Sequence, residues 1–280
     1  MIYKLDLDNE TFNPEVIMNS GQVFRMTKEK PIAKDQGLPD VYQALSGEHE
    51  VLFYFNKDTD TWDFVTDEAS WDFWQDYFDL KEDYKAYNQA VLASSDVFLK
   101  DSLKDAFGMR ILKQDLWETI ISYMISQNNN IPKIKKSIKT LCDRYSDGTA
   151  FPSAQVLATI PVEELEAGTS LGYRAEYISE FAKKVAAGFD ISSYTRMTYE
   201  EAYEALLAEK GIGPKVANCI LLYGLHFMTS YPIDTWMKKI ITEDYSKMTK
   251  EEYLDYINST YSGYQGYIQQ IQFYHKRKAK

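Results

Sequence analysis

The sequence contains little cysteine and no long apolar segment. Its 280 residues include two cysteines, Cys142 and Cys219, too few for a disulfide framework or for the four thiolates of an iron–sulfur cluster. No apolar run approaches the roughly eighteen residues that a transmembrane helix needs. The N-terminus lacks the charged and apolar regions of a secretory signal. These absences predict a protein of a reducing cytoplasm that does not enter a membrane.

Basic residues are outnumbered by acidic ones. The sequence has 31 Lys and Arg and 42 Asp and Glu, which gives a net charge of −11. That balance argues against a nucleic-acid partner. The excess is local, however, because residues 1–100 sum to −11 and residues 101–280 sum to 0. Positive clusters in the second part are suited to phosphates, although each is equally typical of a solvated helix face or a frayed end. They comprise Lys133, Lys135, Lys136 and Lys139, and the tail 276–280.

The distribution of β-prone and helical patterns predicts an α+β protein. Residues 41–45, 50–55 and 62–65 are rich in β-branched and aromatic residues and are separated by turn formers, which predicts an antiparallel meander. From about Ser70 onward, apolar residues recur at helical spacing. We therefore predict an N-terminal antiparallel β-sheet domain with flanking helices, residues 1–105, packed on a mostly α-helical body, residues 106–280. The helices predicted in the body span 114–126, 131–144, 162–167, 175–188, 198–210, 214–225, 234–245, 249–259 and 264–276.

A helix-hairpin-helix is predicted at residues 198–225, where Gly-Ile-Gly-Pro-Lys joins two helices. Gly211 and Gly213 allow positive φ angles and a close approach of the backbone to a ligand. Pro214 is favourable in the first turn of the second helix. The free N–H groups and the positive dipole end of that helix attract an anion. The segment therefore predicts a phosphate contact, although two such glycines alone more often form an ordinary turn.

Lys215 and Asp234 follow the hairpin, 234 − 215 = 19 residues apart. Lys215 is either an exposed surface lysine or an amine nucleophile. Asp234 can cap the next helix and can stabilise positive charge that develops on a sugar ring. The two roles of Asp234 are compatible. Together with the hairpin, these residues indicate an enzyme that binds a nucleic-acid backbone and attacks a sugar.

These motifs resemble the 8-oxoguanine DNA glycosylase/AP lyases of the helix-hairpin-helix superfamily. The resemblance runs from residues 20–25 to residues 266–273, with matches in the same order at 116–120, 128–131, 151–153, 171–177 and 199–202. It implies that a damaged guanine is flipped out of the duplex into a pocket. It also implies that Lys215 attacks C1′ and forms a Schiff base, that Asp234 assists base loss, and that β-elimination then nicks the strand.

The resemblance also implies the residues of the base pocket. Gly21 matches a glycine whose carbonyl accepts a hydrogen bond from N7–H, which 8-oxoguanine has and guanine lacks. Gln269 matches the side chain that reads the Watson–Crick edge, while Phe273 and Cys219 match residues that pack on the two faces of the base. From periodicity alone, Phe273 and Cys219 would be core residues and Gly21 a turn residue.

A second group of matches is implied to lie at the gap in the duplex. Asn128 would fill the space left by the flipped base, Tyr173 would unstack the opposite strand, and Arg174 would donate to the opposite cytosine. The plain alternatives are a helix-terminating turn for Asn128 and a surface salt bridge for Arg174.

Two residues depart from the family pattern. Lys133 stands where eukaryotic members have an arginine that also reads the opposite cytosine, and a lysine cannot make the same forked contact. A relaxed opposite-base preference is therefore expected. Trp236 replaces a histidine that helps to hold a phosphate.

Two other functions stay open at this point. A monofunctional glycosylase for another damaged base would usually lack Lys215, and a non-catalytic helix-hairpin-helix DNA-binding module would leave Lys215, Asp234 and Gln269 unexplained. The expected partner is double-stranded DNA containing 8-oxoguanine, bound by a monomer and without a membrane. No organic cofactor or catalytic metal is expected, although the resemblance allows a structural cation on the hairpin carbonyls. The expected location is the cytoplasmic nucleoid in a prokaryote or the nucleus in a eukaryote.

Overall fold

The computed structural model describes residues 1–29 and 39–278. It shows a five-stranded sheet in which every neighbouring pair is antiparallel, in the order β1-β5-β4-β3-β2. The strands are β1 (Ile2–Leu5), β2 (Met26–Glu29), β3 (Val41–Ser46), β4 (His49–Asn56) and β5 (Thr61–Val65). The predicted meander is confirmed as β3, β4 and β5, and the outer strands β1 and β2 complete the sheet.

Helices form the rest of the molecule. Within the described residues, the α-helices are α1 (Pro14–Asn19), α2 (Trp71–Tyr77), α3 (Tyr84–Ala93), α4 (Val97–Asp105), α5 (Leu116–Ile125), α6 (Ile131–Tyr145), α7 (Ala154–Thr159), α8 (Val162–Thr169), α9 (Arg174–Ala186), α10 (Tyr199–Leu207), α11 (Pro214–Tyr223), α12 (Thr235–Lys239), α13 (Lys250–Thr260) and α14 (Gln265–Lys278). A 3₁₀ helix spans Ile191–Arg196 and a π-helical turn spans Ile240–Asp244. The predicted α+β fold class is confirmed, and within the described residues no helix is long and apolar enough to cross a membrane.

Two buried hydrophobic cores lie within the described residues, one against the sheet and one in the helical body. An aromatic core lies against the sheet and includes Phe53 and Phe64, whose stacked rings have centroids 5.2 Å apart, together with Trp74 of α2. A larger core fills the helical body and takes in Leu99 and Leu103 of α4. The predicted boundary between residues 105 and 106 stays a prediction.

One predicted helix is confirmed in its extent but changes type along its length. The pattern predicts a continuous helix over 234–245, but α12 ends at Lys239 and the π-helical turn Ile240–Asp244 follows. Ile240 and Ile241 are buried there, so the apolar stripe continues while the hydrogen-bond pattern changes. The short helices α1 and α7 have six residues each, which is too few for apolar periodicity to reveal them.

The segment between α1 and β2 is fixed from both sides. Gln22 donates from Nε2 to the Arg110 carbonyl at 2.8 Å and accepts the Leu112 N–H at 2.9 Å. Gln270 of α14 donates to the Ser20 carbonyl at 2.8 Å. Between these anchors, Gly21 adopts a φ of +84°. The fold thereby holds the Gly21 backbone beside α14.

The helix-hairpin-helix is present, with a correction at Gly213. Gly211 has a φ of +84° and packs so tightly that an added Cβ would lie 2.5 Å from Tyr177. Gly213 instead has a φ of −96° as the N-cap of α11, so the expectation of positive φ angles at both glycines is wrong. A Cβ on Gly213 would meet no atom within 4 Å, which leaves the start of α11 open to a ligand.

Candidate active site

The predicted catalytic and base-pocket residues meet around one small cavity. Its lining includes Gly21, Lys215, Cys219, Asp234, Gln269 and Phe273, and its volume is about 40 Å³. It opens into a neighbouring cavity of about 330 Å³ through the shared residues Gly21, Lys215, Asp234 and Phe273. The fold therefore brings together residues that lie up to 252 positions apart in the chain (273 − 21).

Lys215 presents an amine that no carboxylate of the described residues contacts as an ion pair. It lies in the first turn of α11, and its Nζ is 3.4 Å from the Ser126 Oγ and 5.2 Å from the centroid of the Tyr123 ring. In the part of the chain that the structure describes, Lys215 forms no ion pair. The amine is thus held in the cavity by weak contacts that a substrate can replace.

Asp234 caps α12 as predicted. Its Oδ1 accepts the N–H groups of Trp236 and Met237, each at 2.9 Å. These bonds fix the carboxylate beside Lys215, since both residues line the same cavities. The Oδ2 atom is left without a hydrogen bond from the described residues.

Gly21 leaves room that a side chain would take. An added Cβ would lie 3.0 Å from Cδ1 of Ile131 and 3.3 Å from Cε1 of Phe273. Its carbonyl receives only a long contact from the Tyr123 hydroxyl, at 3.4 Å. The Gly21 carbonyl therefore lies at the cavity with weak hydrogen bonding.

Gln269 carries an unsatisfied acceptor. The residue is 3% exposed, and its Oε1 is buried without a hydrogen-bond partner. Burial of an unpaired polar atom costs about 1–3 kcal/mol, so a ligand N–H in the cavity would recover that energy.

Cys219 and Phe273 provide the apolar surfaces of the cavity. Burial raises the pKa of the Cys219 thiol although the nearby Lys215 ammonium lowers it, so the sulfur is neutral near pH 7. Phe273 is partly exposed and lies one helical turn beyond Gln269 on α14. Both side chains suit a planar aromatic ligand.

Asn128, Tyr173 and Arg174 form a connected group beside the cavity. Asn128 has a φ of +46° and donates from Nδ2 to the Tyr173 hydroxyl at 3.3 Å. Tyr173 is 48% exposed. Arg174 donates from Nε to the Gln127 carbonyl at 2.8 Å and from Nη2 to the Asn128 carbonyl at 3.2 Å. The surface salt bridge considered for Arg174 is therefore wrong, because this side chain holds the Asn128 loop by its carbonyls.

The hairpin residues lie at a third cavity. It has a volume of about 440 Å³, and Gly213, Asn128, Lys215 and Asp234 are among its lining residues. The Gly211 carbonyl accepts a hydrogen bond from Gln127 Nε2 at 2.8 Å. Lys133 lies apart from these cavities, exposed in the first turn of α6. A cation on the hairpin carbonyls stays a prediction.

Sequence reasoning missed several residues that line the site. Tyr123 and Ser126 contact the Lys215 amine, and Arg277 lines the 330 Å³ cavity. A signal for Arg277 exists, since residues 269, 273 and 277 are spaced by four and share one helix face. Tyr123 and Ser126 lie within the helix predicted over 114–126, and no local pattern in that helix marks them as site residues.

Comparisons with known proteins agree with this geometry. Residues 4–120 match the N-terminal domain of 8-oxoguanine DNA glycosylase, and residues 121–259 match the HhH-GPD superfamily of base excision DNA repair proteins. The structure of MBOgg1 in complex with a low affinity DNA ligand is 30% identical, with a TM-score of 0.85 over 100% of this chain and 99% of that chain. Clostridium acetobutylicum 8-oxoguanine glycosylase/lyase, in complex with double-stranded DNA containing cytosine opposite 8-oxoG, is 27% identical, with a TM-score of 0.83 over 100% and 98%.

A curated relative extends the comparison. The N-glycosylase/DNA lyase of Saccharomyces cerevisiae is 33% identical over 207 residues, which are 66% of this chain. The match spans about half of that relative, 54% of its length. The resemblance seen in the sequence is confirmed, and the chain belongs to the 8-oxoguanine DNA glycosylase family of the HhH-GPD superfamily of base excision DNA repair proteins.

Proposed function

We propose that this protein is a bifunctional DNA glycosylase and AP lyase that excises 8-oxoguanine from double-stranded DNA. The observation that carries the proposal is the joint lining of one cavity by the unpaired Lys215 amine, the Asp234 carboxylate, the Gly21 backbone and the unsatisfied Gln269. The named relatives that act on 8-oxoguanine share this fold over nearly the whole chain. DNA binding without chemistry would not use such an arrangement.

The chemistry follows from the two catalytic groups. The neutral Lys215 amine attacks C1′ while the bond from C1′ to the base breaks, and the proton that the amine sheds goes to the departing base. Asp234 stabilises the positive charge on the sugar as that bond breaks. The nitrogen lone pair then expels the ring oxygen, which takes a proton from water and becomes a hydroxyl, and leaves a protonated Schiff base at C1′. Loss of a C2′ proton to water then expels the 3′ phosphate as the C2′–C3′ double bond forms, and this nicks the strand. Hydrolysis of the Schiff base regenerates Lys215.

Base recognition follows from the buried polar groups. The Gly21 carbonyl accepts N7–H of 8-oxoguanine, and guanine, which lacks that proton, would leave the carbonyl facing an acceptor. Gln269 Oε1 accepts an N–H from the Watson–Crick edge of the flipped base. Discrimination by an unpaired buried acceptor is large, because the wrong ligand leaves it unsatisfied. Phe273 and Cys219 sandwich the ring.

The opposite strand would meet the Asn128 group. Tyr173 is exposed enough to unstack a base, and Asn128 fills the vacated space. Arg174 donates to the opposite cytosine through the Nη1 hydrogen that its bonds to Leu171, Gln127 and Asn128 leave available. Lys133 gives this cytosine no forked contact, so we expect a relaxed opposite-base preference. The hairpin N–H groups at Gly211 and Gly213 hold a phosphate of the damaged strand.

The setting of the reaction follows from the chemistry. Lysine supplies the nucleophile, so no organic cofactor is needed. The protein acts as a monomer on DNA, at the nucleoid of a prokaryote or in the nucleus of a eukaryote.

Borohydride trapping tests the proposal. The protein is incubated with a duplex that contains one 8-oxoguanine opposite cytosine, and borohydride reduces any Schiff base to a stable covalent complex. We expect a covalent band for the unaltered protein and none for Lys215→Gln. The matched control is Lys210→Gln, since Lys210 lies at the same hairpin but pairs with Glu176 and Glu180; this variant should still be trapped.

Each outcome assigns a function. A covalent band that depends on Lys215 supports the glycosylase/lyase. Release of free base without a covalent band would replace it with a monofunctional glycosylase, and neither release nor trapping would leave another lesion or DNA binding alone.

A further inference from the structure

Arg277 occupies a place that the reaction described above does not use. It lies one turn beyond Phe273 on α14 and lines the 330 Å³ cavity together with Lys215 and Asp234. Its Nη1 approaches the position that a Gly21 Cβ would take to 3.2 Å. A guanidinium therefore stands at the entrance to the base pocket.

Among the described residues, no ion pair neutralises the charge of Arg277. Its Nη1 donates to the Asn19 carbonyl at 3.2 Å, and its Cζ lies 5.1 Å from the centroid of the Phe273 ring. Across residues 1–29 and 39–278, no carboxylate forms an ion pair with it. Its neighbours differ, since Lys276 pairs with Glu243 at 3.0 Å and Lys278 pairs with Asp105 at 2.7 Å. Most of the five donors of the guanidinium remain available.

A second cation reinforces the local field. Burial lowers the pKa of Lys135, and the charge of Arg277 lowers it further. Burial also lowers the pKa of Arg277, although Asp234 acts in the opposite direction. Lys135 likewise has no ion pair within the described part of the chain. Lys135 lines a different cavity from Arg277, so its charge adds to the positive field around Arg277 without lying in the same cavity.

The position of Arg277 complements that of the hairpin. Gly213 and Pro214 line the 440 Å³ cavity, whereas Arg277 and Phe273 line the 330 Å³ cavity. Lys215 and Asp234 line both, so the catalytic pair lies between the hairpin and Arg277. A flipped nucleotide has one phosphodiester on each side of its sugar. The sugar is the group that the nucleophile attacks.

We propose that Arg277 binds the phosphodiester that adjoins the flipped nucleotide on the side away from the hairpin. This inference rests on the proposed function, because it needs a flipped nucleotide whose C1′ lies at Lys215. The hairpin holds one flanking phosphate and Arg277 holds the other. The two contacts together draw the sugar toward the amine.

Phosphate neutralisation combined with substitution tests the contact. Binding is measured in the Lys215→Gln background on 8-oxoguanine duplexes in which the phosphate on the 5′ or the 3′ side of the lesion is a neutral methylphosphonate. We expect Arg277→Gln to weaken binding of the natural duplex roughly tenfold and to make the slope of log K against log salt less steep by about 0.9. Neutralising one of the two phosphates should weaken duplex binding by the protein that retains Arg277 by a similar factor. It should leave duplex binding by Arg277→Gln almost unchanged.

Two further variants separate the contact from folding and from net charge. Arg277→Lys keeps the cation and should recover part of the affinity. Arg196→Gln removes one positive charge at a residue that pairs with Asp190 at 3.0 Å, so it should keep the full sensitivity to the methylphosphonate. Thermal melting of each variant checks that the fold is retained.

The outcomes distinguish this contact from the function on which it rests. If the unaltered protein is trapped on 8-oxoguanine DNA but the methylphosphonate effect is equal with and without Arg277 at both positions, the phosphate contact is wrong and the function stands. If Arg277→Gln instead changes the preference for 8-oxoguanine over guanine without changing the salt slope, Arg277 reads the base, which also overturns the proposal. Absence of trapping by the unaltered protein removes the function itself.

Discussion

Gln269 is the residue at which stability and recognition oppose each other. Its Oε1 is buried without a partner, whereas its neighbour Gln270 accepts from the Tyr223 hydroxyl and donates to the Ser20 carbonyl. The two side chains have the same chemistry and adjacent positions on α14. Both line the 40 Å³ cavity, and of the two only Gln269 has a buried acceptor without a partner among the described residues, as expected of a group that waits for a ligand.

Replacement of Gln269 by methionine should therefore separate stability from activity. Methionine has a similar length and removes the unpaired acceptor, so we expect Gln269→Met to be neutral or to raise the free energy of unfolding by up to about 1–2 kcal/mol. Excision of 8-oxoguanine should slow, with kcat/KM lower by roughly ten- to a hundredfold. Urea denaturation and single-turnover kinetics measure the two effects. Gln270→Met is the matched control and should instead lose about 1–3 kcal/mol of stability. A Gln269→Met variant that is destabilised but fully active would contradict the assignment of Gln269 to base recognition.

Asp79 gives the fold a dependence on acid pH. Burial tends to raise the pKa of Asp79, but the hydrogen bonds and charges of His226 and Lys113 outweigh it, and the pKa lies below its usual value. A depressed carboxyl pKa stabilises the fold above the unfolded pKa near 4. The contribution is lost as pH falls through the lower folded pKa.

Substitution of Asp79 by asparagine tests that contribution. Asp79 has a φ of +50°, a conformation that asparagine also adopts readily. We expect Asp79→Asn to lower the free energy of unfolding by about 1–3 kcal/mol at pH 7 and to flatten its decline below about pH 4, as measured by urea denaturation at several pH values. Asp60→Asn is the matched control, because Asp60 has a similar backbone conformation, with a φ of +56°. Unlike Asp79, Asp60 is exposed. Equal losses in the free energy of unfolding for both variants would show that the buried contacts of Asp79 do not stabilise the fold.

At the scale of the element, the two hairpin glycines have different physical roles. Gly211 combines a positive φ with contacts that leave no room for a Cβ, whereas Gly213 has an ordinary φ and open space. We expect Gly211→Ala to cost about 1–3 kcal/mol, to displace the hairpin from Tyr177 and to weaken DNA binding. Gly213→Ala should leave the melting temperature unchanged, which makes it the control. Similar melting temperatures for the two variants would refute the distinction.

Local patterns predicted many helix starts but not the long-range placement of the elements. The starts of α6 and α11 were predicted correctly, because Pro132 and Pro214 mark first turns. The π-helical turn after Lys239 was missed because its buried isoleucines continue the same apolar stripe. Arg277 was missed as a site residue although it shares a helix face with Gln269 and Phe273, because the predicted helix ended at residue 276 and Arg277 was counted with the basic tail 276–280.

The resemblance, and not periodicity, identified the base pocket. Cys219 and Phe273 look like core positions when only their spacing is considered, and the former is indeed buried. Gly21 lies in a loop whose conformation depends on hydrogen bonds to Arg110 and Leu112, some 90 residues away. Physical reasoning from the residues identified the hairpin, Lys215 and Asp234, and resemblance to a family identified the remainder.

Across the whole molecule, one buried ion pair joins the sheet to the helical body. Arg25, at the start of β2, contacts Glu118 of α5 through Nε at 2.8 Å and through Nη2 at 2.9 Å. Glu118 also accepts the Gly47 N–H at 2.9 Å, and Arg25 donates to the Gly47 carbonyl at 3.2 Å. Gly47 belongs to the turn between β3 and β4. The pair thus links the sheet, the Gly21 segment and the body at one point.

Breaking this link should loosen the whole molecule. Arg25→Met leaves the Glu118 carboxylate buried without its partner, so we expect a loss of about 3–5 kcal/mol, and the double variant with Glu118→Met should lose much less than the sum of the single losses. Because Gly21 lies four residues before Arg25, excision should also slow even where the fold persists. Urea denaturation of the four proteins in the cycle measures the coupling. The exposed pair between Lys139 and Asp143 is the control, since its loss should cost under about 0.5 kcal/mol. Additive losses at Arg25 and Glu118 would mean that the pair does not join the two parts, and that the Gly21 segment is held against α14 without it, by packing and by the hydrogen bonds of Gln22 and Gln270.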